Sequence, residues 1–573
     1  MTPPERRTSS GGFPALAVAL LLLTVYTFCI ALVPIRADND IWWHLKSGKY
    51  ISENGLPAND VFNFNAENLP WHNHEWLTQV LYWRVWQAAE ATTLGGFRGV
   101  ILFVGVMIWL TTLLVFFLAR RLSNSTLIAL FIAVLSLAIG RRMFYPRPPI
   151  VTNLLLMVEL WILIGVTEGW WRPRALFILP PMIALWSNLH GGWMAGGLLL
   201  AVWTGEQVVF ALRDKLPPLP FQQPQQFAGW RTLLIVLTLC LLATFCNPNG
   251  WHLYALPGRV MKDQYLVSLI GELRPPDLYY VVDFLMAVIG FFALALLTKK
   301  FRPGIFELFI YAFFLWQAFQ HVRHLSFFAI MFAPLGARIL RNVCERLRED
   351  FSATAASRKF QCAGYCGVGF LTAYLGLWVI INPREGGWSS QHMEGFSVAG
   401  PLTQNSYPGR NFQLLNDHTG YDRSRFPAEL CDFIELADLR GNMFNENNYA
   451  GYLIWRLSPE RKVFSDPRFD IFGGTILRRE VAIAGGAPTN PFAEAPKGGG
   501  EEYWAAEVKK SNIQWLIVRD GSGLQAALNE TTGWTRVFHS LDLAIWIQST
   551  PENAEMIERA KNAALTFGPR NHS

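Results

Sequence analysis

Residues 12–45 read GFPALAVALLLLTVYTFCIALVPIRADNDIWWHL, and the change of character inside that stretch decides the fold. From Gly12 to Val33 the run is almost wholly apolar and about 20 residues long, the length of helix that crosses a hydrocarbon core about 30 Å thick. Arg6 and Arg7 precede it as in a secretion signal, but a small-residue cleavage pattern is missing. It therefore reads as an uncleaved first span. Immediately beyond it come two aspartates, a tryptophan pair and a histidine, residues that belong at a water interface or in a site.

Composition agrees with that reading. The 573 residues are 51% hydrophobic and 16% charged, well away from the soluble average, yet the mean hydropathy of +0.22 is low for a chain made only of spans. A mixture of spans and a polar domain is expected. The net charge of +6 comes from short basic clusters between apolar runs, which set topology and do not form a nucleic-acid surface. Of the seven cysteines only Cys431 falls in the polar C-terminal region, so no internal disulfide is available there, and no metal-type cysteine spacing occurs.

About eleven stretches are long and apolar enough to be spans. They lie near 13–35, 98–119, 126–140, 150–168, 174–190, 194–212, 231–246, 279–298, 304–320, 325–340 and 363–382. With the N-terminus in the cytoplasm, the cytoplasmic loops receive Arg6 and Arg7, Arg120 and Arg121, Arg172 and Arg174, Arg213 and Lys215, Lys299 to Arg302, and the cluster from Arg341 to Lys359. The positive-inside rule is met at each. The opposite loops collect acids, histidines, asparagines and aromatic residues. Two of them also hold Arg141, Arg142 and Arg147, and Arg323; an anionic ligand such as a lipid phosphate or pyrophosphate gives basic groups on that side a purpose. Snorkelling to lipid headgroups is the plainer account of the same arginines.

Two domains are expected: a membrane domain at 1–382 with a long first outer loop at 36–97, and a soluble α/β domain at 383–573. The latter shows strand-like pieces at Tyr452–Arg456, Lys462–Ser465, Trp515–Val518 and Ala544–Ile547 between helical stretches and Gly/Pro turns. With eleven spans it lies outside the cytoplasmic (inner) membrane.

The first outer loop carries most of the chemistry. It opens with Asp38, Asp40 and His44 and closes with Trp71-His-Asn-His74-Glu75-Trp76. Two carboxylates at i and i+2 beyond a span can share a divalent cation, or one can act as a general base. An interfacial anchor rich in Trp and His accounts for the same composition. Elsewhere, Asn188 and His190 lie at the glycine-rich reversal Ser187 to Trp193, where they either face a cavity or cap a helix. Asn247-Pro-Asn-Gly250 is a turn. Glu272 lies in an outer loop long enough to fold over a pocket. In the C-terminal region, Asp466, Arg468 and Asp470 follow an apolar run. They read either as a polar cluster at a sheet edge or as a structural salt bridge.

An acidic motif in the first loop after the first span resembles the GT-C superfamily of membrane glycosyltransferases. The run from Asp40-Ile-Trp-Trp-His-Leu to His74-Glu-Trp-Leu is similar to a group of bacterial GT-C-like proteins. The C-terminal Gly-Tyr-then-Asp arrangement distantly resembles oligosaccharyltransferase catalytic subunits, although a Trp-Trp-Asp-Tyr-Gly run is missing. The resemblance implies a polytopic helical GT-C-like fold of about eleven spans with a C-terminal extracytoplasmic α/β domain. It implies a polyprenyl-phosphate-linked sugar donor and a glycan, lipid or protein acceptor outside the cytoplasm. It makes Asp40 the base or metal ligand, with Asp38 and Glu75 beside it and Mg or Mn as the cofactor it allows. Inverting transfer also needs cations on the departing phosphate, and Arg141, Arg142, Arg147 and Arg323 are the candidates. His44, His74, Asn188, His190 and Glu272 complete the expected pocket. Two non-enzyme readings compete: a lipid-linked glycan transporter or flippase, favoured by the mid-span acids Glu159 and Glu206, and an envelope-assembly scaffold.

Overall fold

The computed structural model describes residues 12–32, 39–213, 219–276, 282–297, 301–351, 426–492, 502–540 and 542–567. The expected span at 363–382 lies outside them, as does Asp38. The apolar runs become helices: α1 (Gly12–Leu32), α4 (Gly96–Ser123), α5 (Thr126–Gly140), α6 (Pro149–Thr167), α7 (Leu179–Leu189), α8 (Trp193–Ala211), α9 (Trp230–Ala243), α12 (Val282–Leu297), α13 (Ile305–Gln320), α14 (Leu325–Met331) and α15 (Ala333–Phe351). Between them lie α2 (Asp40–Asn54) and α3 (Trp76–Glu90) in the first long loop, and α10 (His252–Lys262) and α11 (Gln264–Leu269) in a later one. Among the described residues α4, α6 and α8 are long and apolar enough to cross a membrane, and the pair Val322–Met331 and Ala333–Leu347 passes the same test when its two helices, bent by 48°, are taken together. Pro334, in the first turn of α15, supplies no N–H to continue the ladder across that bend.

The bundle is organised on α4, which packs against α1, α3, α5, α6 and α15. Its polar content is mostly structural. The Glu206 carboxylate on α8 accepts the backbone N–H of Phe306 at 2.9 Å, so it caps the start of α13 from a neighbouring helix. That bond accounts for its burial. Glu159 is fully buried on α6, close enough to α8 that a Cβ at Gly196 would come within 2.5 Å of its carboxylate. At the end of the bundle holding the loop basic clusters, Arg338 bonds Glu307 at 2.8 Å and Glu168 at 2.7 Å, tying α15, α13 and the end of α6 together.

The described C-terminal residues form a four-stranded sheet in the order β1-β2-β4-β3, with β1 (Asn442–Phe444), β2 (Ile513–Arg519), β3 (Trp534–Ser540) and β4 (Leu543–Gln548). β1 runs parallel to β2, and the other pairs are antiparallel. Trp515–Val518 and Ala544–Ile547 are strands as expected. Tyr452–Arg456 is not: it lies in the helix Asn447–Leu457. A short apolar run buried nearly all round has no periodicity to separate strand from helix, and here the helix packs against α2. Lys462–Ser465 contributes a single bridge, Val463 to Asn63, so it pairs with the first loop and not with the sheet.

That bridge belongs to an extensive seam between the first loop and the C-terminal domain. Val463 N–H donates to the Phe62 carbonyl at 2.9 Å, and Phe64 N–H to the Val463 carbonyl at 3.2 Å. Trp42 of α2 stacks on Phe97 at 5.2 Å and meets Phe426 and Tyr452 edge-on at 5.1 and 5.2 Å. A Cβ on Gly451 would stand 2.0 Å from the Asn39 carbonyl oxygen, so only glycine permits the helix Asn447–Leu457 to approach this closely. The Asp466–Arg468 pair sits inside this seam, both side chains fully buried with Asp60. Their place is a structural staple and not an open sheet edge, because Asp60 comes from the first loop some 400 residues away in sequence.

α2 and α3 cross with equal intimacy. A Cβ on Gly48 would lie 2.0 Å from the Gln79 carbonyl oxygen, a backbone atom that cannot step aside. Gly48→Ala is expected to cost about 1–3 kcal/mol through overpacking, read as a lower thermal midpoint of the purified protein.

Candidate functional site

The site forms where α2, the start of α3, the Tyr145–Arg147 turn, the α7–α8 reversal and the Gly271–Leu273 turn converge. Asp40 occupies the first turn of α2, and His44 lies one turn on, on the same helix face. Arg147 Nη2 lies 3.1 Å from Asp40 Oδ2, and Arg147 Nη1 also pairs with Glu272 Oε1. One guanidinium thus bridges two carboxylates from distant loops. Glu272 is held there because His321 Nδ1 meets the Leu273 carbonyl at 2.6 Å and Val322 N–H donates to the Arg274 carbonyl at 3.1 Å, which places the Arg323 turn beside it.

Glu75 is the second centre. Its carboxylate lies 3.5 Å from His190 Nε2, 3.6 Å from His74 Nε2 and 3.9 Å from His44 Nδ1. Asn73 Oδ1 accepts the Glu75 N–H at 3.2 Å, which fixes the approach to α3. Hydrogen bonds determine where the histidine protons sit. Gly192 N–H donates to His190 Nδ1 at 3.0 Å, and Thr152 Oγ1, which accepts from Trp186 Nε1 at 2.9 Å, lies 2.8 Å from that same nitrogen. Nδ1 is therefore an acceptor, and the proton is on Nε2, facing Glu75. For His44, Asn73 Nδ2 donates to Gln79 Oε1 at 2.7 Å, which turns the Gln79 amide N–H toward His44 Nδ1 at 3.3 Å. His74 completes the ring, with its Nδ1 at 3.9 Å from Asp470 Oδ2 of the C-terminal domain.

Burial governs the electrostatics. It pushes the Glu75 carboxyl above its ordinary range; His74 pulls the other way, Asp470 adds to the rise, and Arg147 and Arg323 reduce it. Burial lowers His44 well below its usual value, helped by Arg147 and by its two histidine neighbours. His190 is lowered in the same way by burial, His74 and Arg323. Two neutral imidazoles thus surround a carboxylate of raised basicity, the state suited to taking a proton near neutral pH.

The structure brings together Asp40, His44, His74, Glu75, Arg147, His190 and Glu272, with Arg323 within electrostatic reach. Arg141 is buried at the end of α5, and the Arg142 side chain lies outside the described set. Asn188 is a brace: its amide donates to the Ala184 and Cys246 carbonyls at 2.8 and 2.7 Å, and its Oδ1 accepts from Trp76 Nε1 at 3.0 Å. Sequence reasoning passed over Thr152 and Gln79, which orient the histidines, and it did not connect Asp470 with His74. Ordinary residue types at separations of tens to hundreds of positions carry no local signal.

Asp38, the expected partner of Asp40 in holding a divalent cation, lies outside the described residues. Asp40 Oδ2 is paired with Arg147, and among the described residues no group of three or more His, Cys, Asp or Glu side chains is arranged to hold a metal. No step below is routed through one.

No protein-family profile and no curated protein matches the sequence. Solved structures do. The archaeal oligosaccharyltransferase of Archaeoglobus fulgidus, tethered to an acceptor peptide containing an NVT sequon, superposes with a TM-score of 0.53 at 12% identity over 89% of this chain and 69% of that one. The fold is that of this archaeal oligosaccharyltransferase. The same enzyme with an inhibitory peptide and dolichol-phosphate superposes at 0.53, 12% identical, over 96% of this chain and 77% of that one. At this identity the likeness establishes architecture: a membrane helix bundle whose described C-terminal part is an α/β domain.

Proposed function

We propose that the chain is a glycosyltransferase that moves a sugar from a polyprenyl-phosphate-linked donor to an extracytoplasmic glycan, lipid or protein acceptor at the cytoplasmic (inner) membrane. The observation that carries this reading is the arginine bridge at Asp40 and Glu272 standing beside the Glu75–histidine ring, on a fold shared with an enzyme seen with dolichol-phosphate. In this reading Arg147 and Arg323 meet the donor phosphate, Arg147 being preset by its two carboxylates. An acceptor hydroxyl or amide attacks the sugar C1 and its proton passes to Glu75. The C1–O bond to phosphate breaks, and the phosphate leaves with the electron pair, its charge met by the guanidinium groups. His190 presents its Nε2–H to the Glu75 carboxylate, while His44 accepts the Gln79 amide on Nδ1. Asp40 positions Arg147, and Asp470 brings the C-terminal domain to the same ring through His74.

The test uses the purified chain reconstituted in liposomes, supplied with polyprenyl-linked sugars and an envelope acceptor fraction. Arg147→Gln and Asp40→Asn are each expected to lower transfer about 10²–10³-fold, the usual effect of removing a donor from a developing charge. Transfer at the wild-type rate in both variants would sink the assignment. Donor binding without consumption by the wild type would move the transporter reading ahead.

A further inference from the structure

The far end of the bundle holds a second feature that the transfer reaction does not use. α6 starts beside Arg147 and runs 19 residues to Thr167, about 27 Å away at 1.5 Å per residue. There a cavity of about 700 Å³ opens between α4, the start of α5, α6 and the turn after it, lined by Leu114, Phe117, Arg120, Arg121, Val158 and Trp161, with Asn124, Thr126 and Trp171 at its edge. Its size falls within the roughly 300–1,000 Å³ of small-molecule sites.

Its chemistry is graded along the helix axis. Leu114, Phe117, Val158 and Trp161 form an apolar floor, and the two arginines stand at the mouth, one helical turn or two beyond. The floor is fixed: Trp161 Nε1 donates to the Leu114 carbonyl at 2.8 Å, and Trp171 stacks on Trp161 at 6.2 Å. Trp171 can lie against α6 because Gly165 presents no Cβ; one would come within 3.3 Å of its ring. The mouth is shaped too. Arg121 lies over the Trp170 ring at 4.2 Å, and Arg120 Nε donates to Thr126 Oγ1 at 3.3 Å, which ties both side chains down beside the opening. No acidic residue lines the cavity.

We infer that this groove is a binding site for an anionic phospholipid of the bilayer. Its phosphate sits between Arg120 and Arg121, and one acyl chain lies along Leu114, Phe117, Val158 and Trp161. Charge complementarity selects the headgroup, since basic pockets between membrane helices take anionic lipids. The tryptophans at the mouth suit headgroup depth. The apolar floor is not sealed by protein: Leu114, Val158 and Trp161 are half-buried and Phe117 is exposed, which suits a lipid chain as occupant. The site is separate from the Asp40–Glu75 centre and does not depend on the transferase reading.

The test is native mass spectrometry and thermal melting of the detergent-purified full chain, with phosphatidylglycerol or phosphatidylcholine added. Wild type is expected to retain phosphatidylglycerol about five- to thirtyfold better than phosphatidylcholine, given the attraction of two surface arginines, and to melt higher with it. Arg120→Gln with Arg121→Gln is expected to abolish the preference while leaving the lipid-free melting point near wild type. Leu114→Trp, which fills the floor, is expected to lower retention of both lipids. Equal retention of the two lipids by wild type, or an undiminished preference in the double arginine variant, would overturn the inference. So would displacement by polyprenyl phosphate at lower concentration than phosphatidylglycerol, which would assign the groove to a carrier lipid.

Discussion

Glu75→Gln is expected to lower sugar transfer about 10²–10⁴-fold, the usual contribution of a positioned general base. The amide keeps the shape of the carboxylate and its place between His44, His74 and His190, but it cannot accept the acceptor's proton. Stability should move the other way. Burial raises the Glu75 carboxyl above its ordinary range, so its contribution to folding is full below the usual carboxylate value and is lost as pH rises through the raised one. At neutral and alkaline pH the glutamine variant should therefore melt no lower than wild type. The same shift sets the pH profile. If Glu75 must be ionised to work, activity falls as pH drops through its raised value, which puts the acid limb above the ordinary carboxylate range. That limb should vanish in the residual activity of the variant. A melting point that falls together with the rate, or a limb that persists in Glu75→Gln, would move the proton to another group.

Arg468→Met should produce the largest structural effect. Arg468 bonds Asp466 through Nε at 2.8 Å and lies 2.8 Å from Asp60 Oδ2, with all three side chains fully buried. Its guanidinium also stands over the Trp71 and Phe62 rings at 4.7 and 5.1 Å. Removing it leaves two buried carboxylates facing each other, at a cost of about 3–5 kcal/mol for a broken buried pair. Asp60 is already raised by burial, with Arg468 pulling it down and Asp466 pushing it up; loss of the arginine removes the one favourable charge. The expected readout is early protease cleavage between the bundle and the C-terminal domain. Transfer should fall as well, because the seam is what delivers Asp470 to His74. Combining Arg468→Met with Asp60→Asn and Asp466→Asn removes the three charges of this cluster and should recover much of the stability. If the triple variant is as unstable as the single one, packing and not charge holds the seam.

The contrast between these two residues shows how far the sequence could be read. Span-length apolar runs and the acid-rich first loop are local patterns imposed by the bilayer, which admits little but helices in its core. A membrane protein with its polar residues gathered in particular loops was therefore legible, and so were Asp40, Glu75, Arg147 and Glu272 as members of those loops. The strands at 515–518 and 544–547 were legible from β-rich runs, whereas 452–456 was not, since a run buried on every side has the same composition in either conformation.

What the sequence could not contain is pairing across distance. That Arg147 pairs with Asp40 and Glu272, that Glu206 caps α13, and that Arg468 closes on Asp60 were decided only when the loops and helices were packed together. Two glycines make that packing feasible, Gly48 against Gln79 and Gly451 against Asn39. The sequence by itself determined where the span-length apolar helices fall and which residues end in the polar loops between them, because hydrophobic length and charge act over a few turns. The tertiary structure decided which carboxylates are bridged, which are braced by histidines and which are sealed away, because burial and ion pairing depend on partners hundreds of residues apart.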